Sequence, residues 1–144
     1  MIENESAGEW HPGDGWKVLE GTSFSRHIGP FYYRPAGKRV RFCMKTDSRH
    51  DNSHERAHGG VVMSFADEAL GFAGRWSRDN LPMFTIEFDC RFLDAILCGD
   101  VVEVEPEVKR ACLAFIDSLC QLFFCQDQVG SRSAYLKVRA SETT

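Results

Sequence analysis

His58-Gly59-Gly60-Val61-Val62-Met63-Ser64-Phe65-Ala66-Asp67-Glu68-Ala69-Leu70-Gly71-Phe72-Ala73-Gly74-Arg75 is the stretch that decides the fold. Val61, Val62, Phe65, Ala66, Ala69, Leu70 and Ala73 recur at helical spacing, and Met63 and Phe72 add apolar surface away from that stripe. Few of its side chains before Arg75 are polar. A helix apolar almost all round has to be enclosed by protein. With about 18 residues it is roughly 27 Å long.

Upstream, Asp47 to Ala57 is polar and reads as a loop. Arg39 to Thr46 alternates: Val40, Phe42 and Met44 point one way, Arg39, Arg41 and Lys45 the other, as in a half-buried strand. Pro35-Ala36-Gly37 reads as a turn. Phe24 to Tyr33 is expected to hold the first strand, and Trp16 to Leu19 a short turn of helix. Residues 1–20 read as a flexible tail ahead of a domain spanning 21–144. Met1 to Glu9 carries three Glu and no apolar core, unlike a secretory signal.

Downstream, Phe84, Ile86, Phe88, Cys90 and Phe92 alternate with Thr85, Glu87, Asp89 and Arg91, the clearest period-two signal in the chain. Val102, Val104 and Val108 alternate with Glu103, Glu105 and Glu107, a solvated strand face. Leu113 to Phe124 is apolar on both faces, and Ala134, Leu136 and Val138 alternate again. Gly99-Asp100 and Val129-Gly130-Ser131 mark turns. No second long helix exists to cover the first, so the sheet has to curl around it. Short connections make neighbouring strands antiparallel. The expected class is α+β, a curled antiparallel β-sheet wrapped around one long central helix, which is the hotdog fold. The two-sided apolar strand further implies that an oligomer covers part of the sheet's outer face.

The 144 residues fit one domain with a real core, and 43% hydrophobic with 26% charged residues is ordinary globular composition. A net charge of -4 supplies no basic face for nucleic acid. No stretch approaches the roughly 20 apolar residues that span a bilayer. The six cysteines include no Cys-x-x-Cys pair, so a reducing cytoplasm is expected, with neither disulfide framework nor metal site. His50, His54 and His58 share a loop region but lack ligand spacing.

The chemistry concentrates in Asn52-x5-His58-Gly59-Gly60-x6-Asp67. Backbone N–H groups at a helix start are unpaired, and the helix dipole favours negative charge there. Without side chains, Gly59 and Gly60 let a ligand carbonyl approach that backbone closely, as an oxyanion hole requires. Asp67 shares a helix face with Gly60, Ser64, Gly71 and Gly74. An ionised carboxylate in an apolar setting is costly unless paired, which suggests a task; a core acid paired with a buried base is the bland alternative. His58 reads as a structural loop holder, and Thr85 is as readily a plain strand residue.

Asn52 through Trp76 resembles the signature of hotdog-fold acyl-CoA thioesterases of the phenylacetate-degradation type, in which an Asn, a His-Gly-Gly and a helical Asp or Glu recur. The similarity extends from about Phe24 to Arg139. It implies that Gly59 presents its N–H to the thioester oxygen. Asp67 would act as general base or nucleophile, Asn52 would hold the water or carbonyl, and Thr85 would assist the acid. It also implies a homodimer or homotetramer with sites at the subunit interface, the acid coming from the opposite subunit. CoA enters only as part of the substrate, without a separate cofactor. Ser53 to Ala57 is more charged than the family's usual loop. Glu68 points about 100° away from Asp67, and the family spacing selects Asp67. Two rivals accompany this reading. An acyl-thioester hydratase or dehydratase would need His58 facing the substrate. A non-catalytic acyl-CoA-binding protein would bind without turnover.

Overall fold

The computed structural model describes residues 10–80, 82, 84–111, 116–125 and 136–143; beyond 107, and at 86 and 89, the description is of the backbone. In chain order the elements are β1 (Lys17–Val18), α1 (Ser23–Ile28), β2 (Tyr32–Ala36), β3 (Arg39–Lys45), a 3-10 turn (Ser48–His50), α2 (Gly59–Trp76), β4 (Phe84–Phe92), β5 (Val101–Ala111), β6 (Ile116–Cys125) and β7 (Leu136–Thr143). The strands form a seven-stranded sheet in the order β1-β2-β3-β5-β6-β7-β4, with every pairing antiparallel. The sheet wraps α2, which contacts β3, β4, β5, β6 and β7, so the hotdog expectation holds. Among the described residues no helix is long and apolar enough to cross a membrane.

The core follows the two periodicities. Val62, Phe65, Ala66, Ala69, Leu70 and Ala73 are buried on α2, and Val40, Phe42 and Met44 of β3 meet Val102 and Val104 of β5 beneath them. Phe31 packs on Phe65 with ring centroids 5.0 Å apart. Fully burying each large side chain contributes about 1.5–3 kcal/mol, so Phe65→Ala is the single change best placed to break this layer, at roughly 3–5 kcal/mol. Enclosure of α2 is not complete, however. Met63 is 38% exposed, and Ser64, Asp67 and Gly71 are only half-buried.

The N-terminal third departs from expectation. From Trp10 onward the supposed tail is packed: Trp16 and Leu19 are each 9% exposed, and Tyr32 donates its hydroxyl to the Trp10 carbonyl at 2.9 Å. Trp16, Tyr32 and Cys43 form a second cluster on the face of the sheet opposite α2, with Trp10 and Val101 against it. The folded unit therefore includes residues before 21, while 1–9 lie outside the described residues. Trp16 to Leu19 is not helical either, since Lys17 and Val18 pair with Tyr33 and Tyr32. Burial, with the nearby Glu103 charge adding to it, pushes the Cys43 thiol up to about 12.

The stretch Phe24 to Tyr33 is largely helix α1, and a strand, β2, begins only at Tyr32. Thr22 caps α1, its Oγ1 accepting from Ser25 N–H at 3.2 Å, and Gly29 ends the helix just before Pro30. The turn after β2 is Gly37-Lys38, with Gly37 at φ +65°, so Pro35 and Ala36 lie within the strand. Glu103 and Glu105 are not simply solvated: Arg41 meets them at 3.1 and 3.4 Å, and Arg39 meets Glu105 at 3.1 Å. Such surface pairs contribute about 1 kcal/mol at most each. The apolar run at 113–115 and the turn at 129–131 lie outside the described residues, as does residue 134.

Candidate active site

The corner before α2 is built from the backbone outward. Asp47 and His50 form a reciprocal capping box around the 3-10 turn. Buried His50 accepts from Asp47 N–H at Nδ1 (2.9 Å) and donates from Nε2 to the Ile28 carbonyl (2.9 Å), tying the turn to the end of α1. Burial pushes the Asp47 carboxyl up, but hydrogen bonds from the Arg49 side chain and backbone, with the nearby His50 and Arg49, outweigh this and hold it below its ordinary value. A bridge between Asp51 and Ala57 closes the loop, and Ser53 and Glu55 sit at φ +73° and +58° inside it. His58 N–H then donates to the His50 carbonyl at 2.6 Å, aiming the chain into α2.

His58 is the N-cap: its Nδ1 accepts from Gly60 N–H at 2.9 Å, which fixes the Nε2–H tautomer. The amides of Val61 and Val62 reach the His58 carbonyl at 3.0 and 3.4 Å. Among the described residues, the first-turn amide left without an acceptor is that of Gly59. Gly59 lines a cavity of about 420 Å³ whose walls also include Asn52, Arg56, Val62, Phe92 and Ile96. Asn52 Oδ1 accepts from His54 N–H at 3.1 Å, fixing the side chain at the cavity wall. A Cβ on Gly59 would lie 3.0 Å from Phe92 Cζ, so this glycine also makes room for an aromatic ring.

Asp67 lies farther along α2, half-buried, where Thr85 Oγ1 donates to its Oδ1 at 2.7 Å. Strict alternation would turn Thr85 away from the helix together with Glu87. The β4–β7 register instead shifts between Thr85 and Glu87, which pair with the adjacent residues Glu142 and Ser141. One extra residue in β4 reverses the facing of everything before it, turning Thr85 inward and leaving Phe84 68% exposed. Glu68 diverges from Asp67 as the helical angle requires, and Ser25 of α1 donates its hydroxyl to it. Ser25 carried no signal in the sequence beyond a helix-capping neighbour.

The five expected residues thus fall into two groups: Asn52, His58 and Gly59 at the cavity, Asp67 and Thr85 along the helix. Eight residues at about 1.5 Å each separate Gly59 from Asp67 by about 12 Å along the axis, and Asp67 does not line the cavity. One chain alone does not bring them onto one carbonyl. The cavity walls Phe92, Arg56 and Ile96 were missed, because Phe92 looks like one more inward residue of an alternating strand. Among the described residues, no three His, Cys, Asp or Glu side chains gather as a metal site.

Residues 54–111 match the Thioesterase superfamily. A Pseudomonas aeruginosa protein that bears the provisional name of an esterase is 33% identical over 85 residues, 58% of this chain and 63% of that protein. The chain thus spans less than two thirds of that curated relative. The Escherichia coli PaaI protein from the phenylacetic acid degradation operon shares the fold at a TM-score of 0.73 and 16% identity, over 86% of this chain and 85% of that one. An acyl-CoA hydrolase of Staphylococcus aureus, solved with butyryl coenzyme A, coenzyme A and coenzyme A disulfide, aligns at 0.68 and 15% identity, over 74% and 65% of the two chains. At these identities the structures speak for the fold. The sequence match adds the stretch that holds the glycine corner and Asp67, so the chain is similar in sequence over 54–111, and in fold over most of its length, to the hotdog-fold thioesterases.

Proposed function

We propose that the protein is an acyl-CoA thioesterase, converting R–CO–S–CoA and water to R–COOH and CoA. The observation that carries the reading is the unclaimed Gly59 N–H beside a cavity, on the same helix as a carboxylate held by Thr85. In this mechanism the thioester oxygen accepts from Gly59 N–H, where the helix dipole favours the negative charge that develops. Thr85 occupies Oδ1 of Asp67, leaving Oδ2 to take a proton from water as its oxygen attacks the carbonyl carbon. The tetrahedral intermediate then expels the CoA sulfur, which takes up the proton. Asn52, at the cavity wall, holds the water or the carbonyl with its amide group.

The separation along α2 supports a site in which Asp67 comes from a second copy. The uncovered face of α2 around Met63, Ser64 and Asp67 supports such a partner, as does β4, an edge strand of nine residues. A homodimer, or two dimers paired, fits this reading. His58 Nδ1, engaged by the Gly60 N–H, suits a helix cap better than the acid–base group of a hydratase. Cys43 and Cys98 are in no disulfide, which suits the cytoplasm.

The test is thiol release from short, long and aromatic acyl-CoAs by purified protein. Hydrolysis of at least one is expected, and Asp67→Asn should lose about 100-fold or more while remaining folded. Tight acyl-CoA binding without turnover across the panel would replace catalysis with a binding role.

A further inference from the structure

Phe92 ends β4, 50% exposed in the single chain and outside its buried core clusters. Its tip nevertheless points at Gly59: Cζ would stand 3.0 Å from a Cβ at that position, and Cε1 and Cε2 3.5 Å. The ring is thus end-on to the residue that presents the free amide. With Val62 and Ile96 it forms the apolar side of the cavity, while Asn52 and Arg56 contribute the polar side.

We propose that Phe92 is the specificity-determining residue of this site, its ring bounding the space open to the acyl group. The proposal rests on the thioesterase reading. A carbonyl seated on Gly59 N–H carries two substituents, and they have opposite needs. The CoA arm is long, ends in phosphates and has to leave toward solvent, where exposed Arg56 offers a positive charge. The acyl group is apolar and matches the wall made by Phe92, Val62 and Ile96. A ring held end-on leaves less depth than a smaller side chain, so it admits compact acyl groups and turns away branched or aromatic ones.

The experiment compares kcat/KM for acetyl-, butyryl-, isovaleryl- and phenylacetyl-CoA in wild type, Phe92→Ala and Phe92→Trp, with inhibition by free CoA measured alongside. Phe92→Ala is expected to raise the ratio of bulky to acetyl substrates at least about tenfold, Phe92→Trp to lower it, and free CoA to inhibit all three equally. Melting curves identify either variant that fails to fold, and the other then carries the comparison. Turnover with an unchanged acyl profile overturns the role of Phe92 and leaves the thioesterase reading standing. A uniform change in KM accompanied by altered inhibition by free CoA assigns the ring to the CoA arm, and overturns it too. No thiol release from any substrate by any form overturns both.

Discussion

Thr85 Oγ1 stands 2.7 Å from Asp67 Oδ1, a contact that depends on a one-residue bulge in β4. A hydroxyl donor to one carboxylate oxygen fixes the rotation of the group and leaves the other oxygen as base. Thr85→Ala should lower kcat about tenfold, equivalent to ~1.4 kcal/mol of barrier. Because Thr85 is exposed, stability should change by no more than about 0.5 kcal/mol. Thr85→Ser should restore most of the rate. Steady-state kinetics with thermal melts on all three proteins checks this, and a Ser variant as slow as the Ala variant would remove the hydroxyl from the mechanism.

The Gly59 amide can be deleted without deleting the helix. Proline is favoured at the first helical position, and His58 already holds the extended conformation, φ -61° and ψ 132°, that a residue before proline adopts. The new ring displaces the exposed tip of Phe92. Gly59→Pro should retain its circular dichroism spectrum and lose about 100- to 1000-fold in kcat, the usual effect of removing one oxyanion donor. Retained activity in a folded Pro variant would take the amide out of the mechanism.

Inactive Asp67→Asn and inactive Gly59→Pro chains should complement one another. In a mixed dimer one site combines the intact Gly59 of one chain with the intact Asp67 of the other. Random re-association of equal amounts should therefore recover about a quarter of wild-type activity. Recovery is read after dilution and remixing, beside each variant alone. No recovery in a sample shown by native mass spectrometry to contain mixed dimers would place the site within one chain.

Asp47 gives the fold an acid dependence. Its carboxyl titrates below the ordinary 3.8, because hydrogen bonds from Arg49 and the nearby His50 and Arg49 outweigh the opposing effect of burial. A lowered pKa in the folded state stabilises above the unfolded value and loses that contribution as pH falls through the folded one. Wild type should therefore melt above Asp47→Asn at pH 5 to 7, with the gap closing below about 3.8. A gap that persists at pH 2 would assign the effect to packing.

What could be read in advance followed from periodicity. The expected strand Phe84 to Phe92 matches β4 residue for residue, and α2 extends only one residue past Arg75, because both patterns run long enough to average out exceptions. The six-residue α1 and the two-residue β1 are too short for any period to register. The burial of Trp16 depends on Tyr32 and Cys43, which are distant in sequence, so local composition suggested a tail. At the site, spacing selected Gly59 and Asp67, but the bulge that aims Thr85 is a fault in alternation and leaves no mark in the letters. Phe92 failed for the converse reason: its place in the alternation hid that it leans on Gly59.

The hairpin-like bridge from Asp51 to Ala57, with Asn52 N–H on the Arg56 carbonyl and Ala57 N–H on the Ile96 carbonyl, is held by main-chain atoms at its two ends. Geometry fixed in that way is indifferent to most of the side chains it carries. Ser53, His54 and Glu55 point into water, so evolution can rewrite their charge to suit a new ligand while the entry to the central helix stays put. The unusually charged segment of this chain is thus a place where substrate preference can drift without cost to the architecture beneath it.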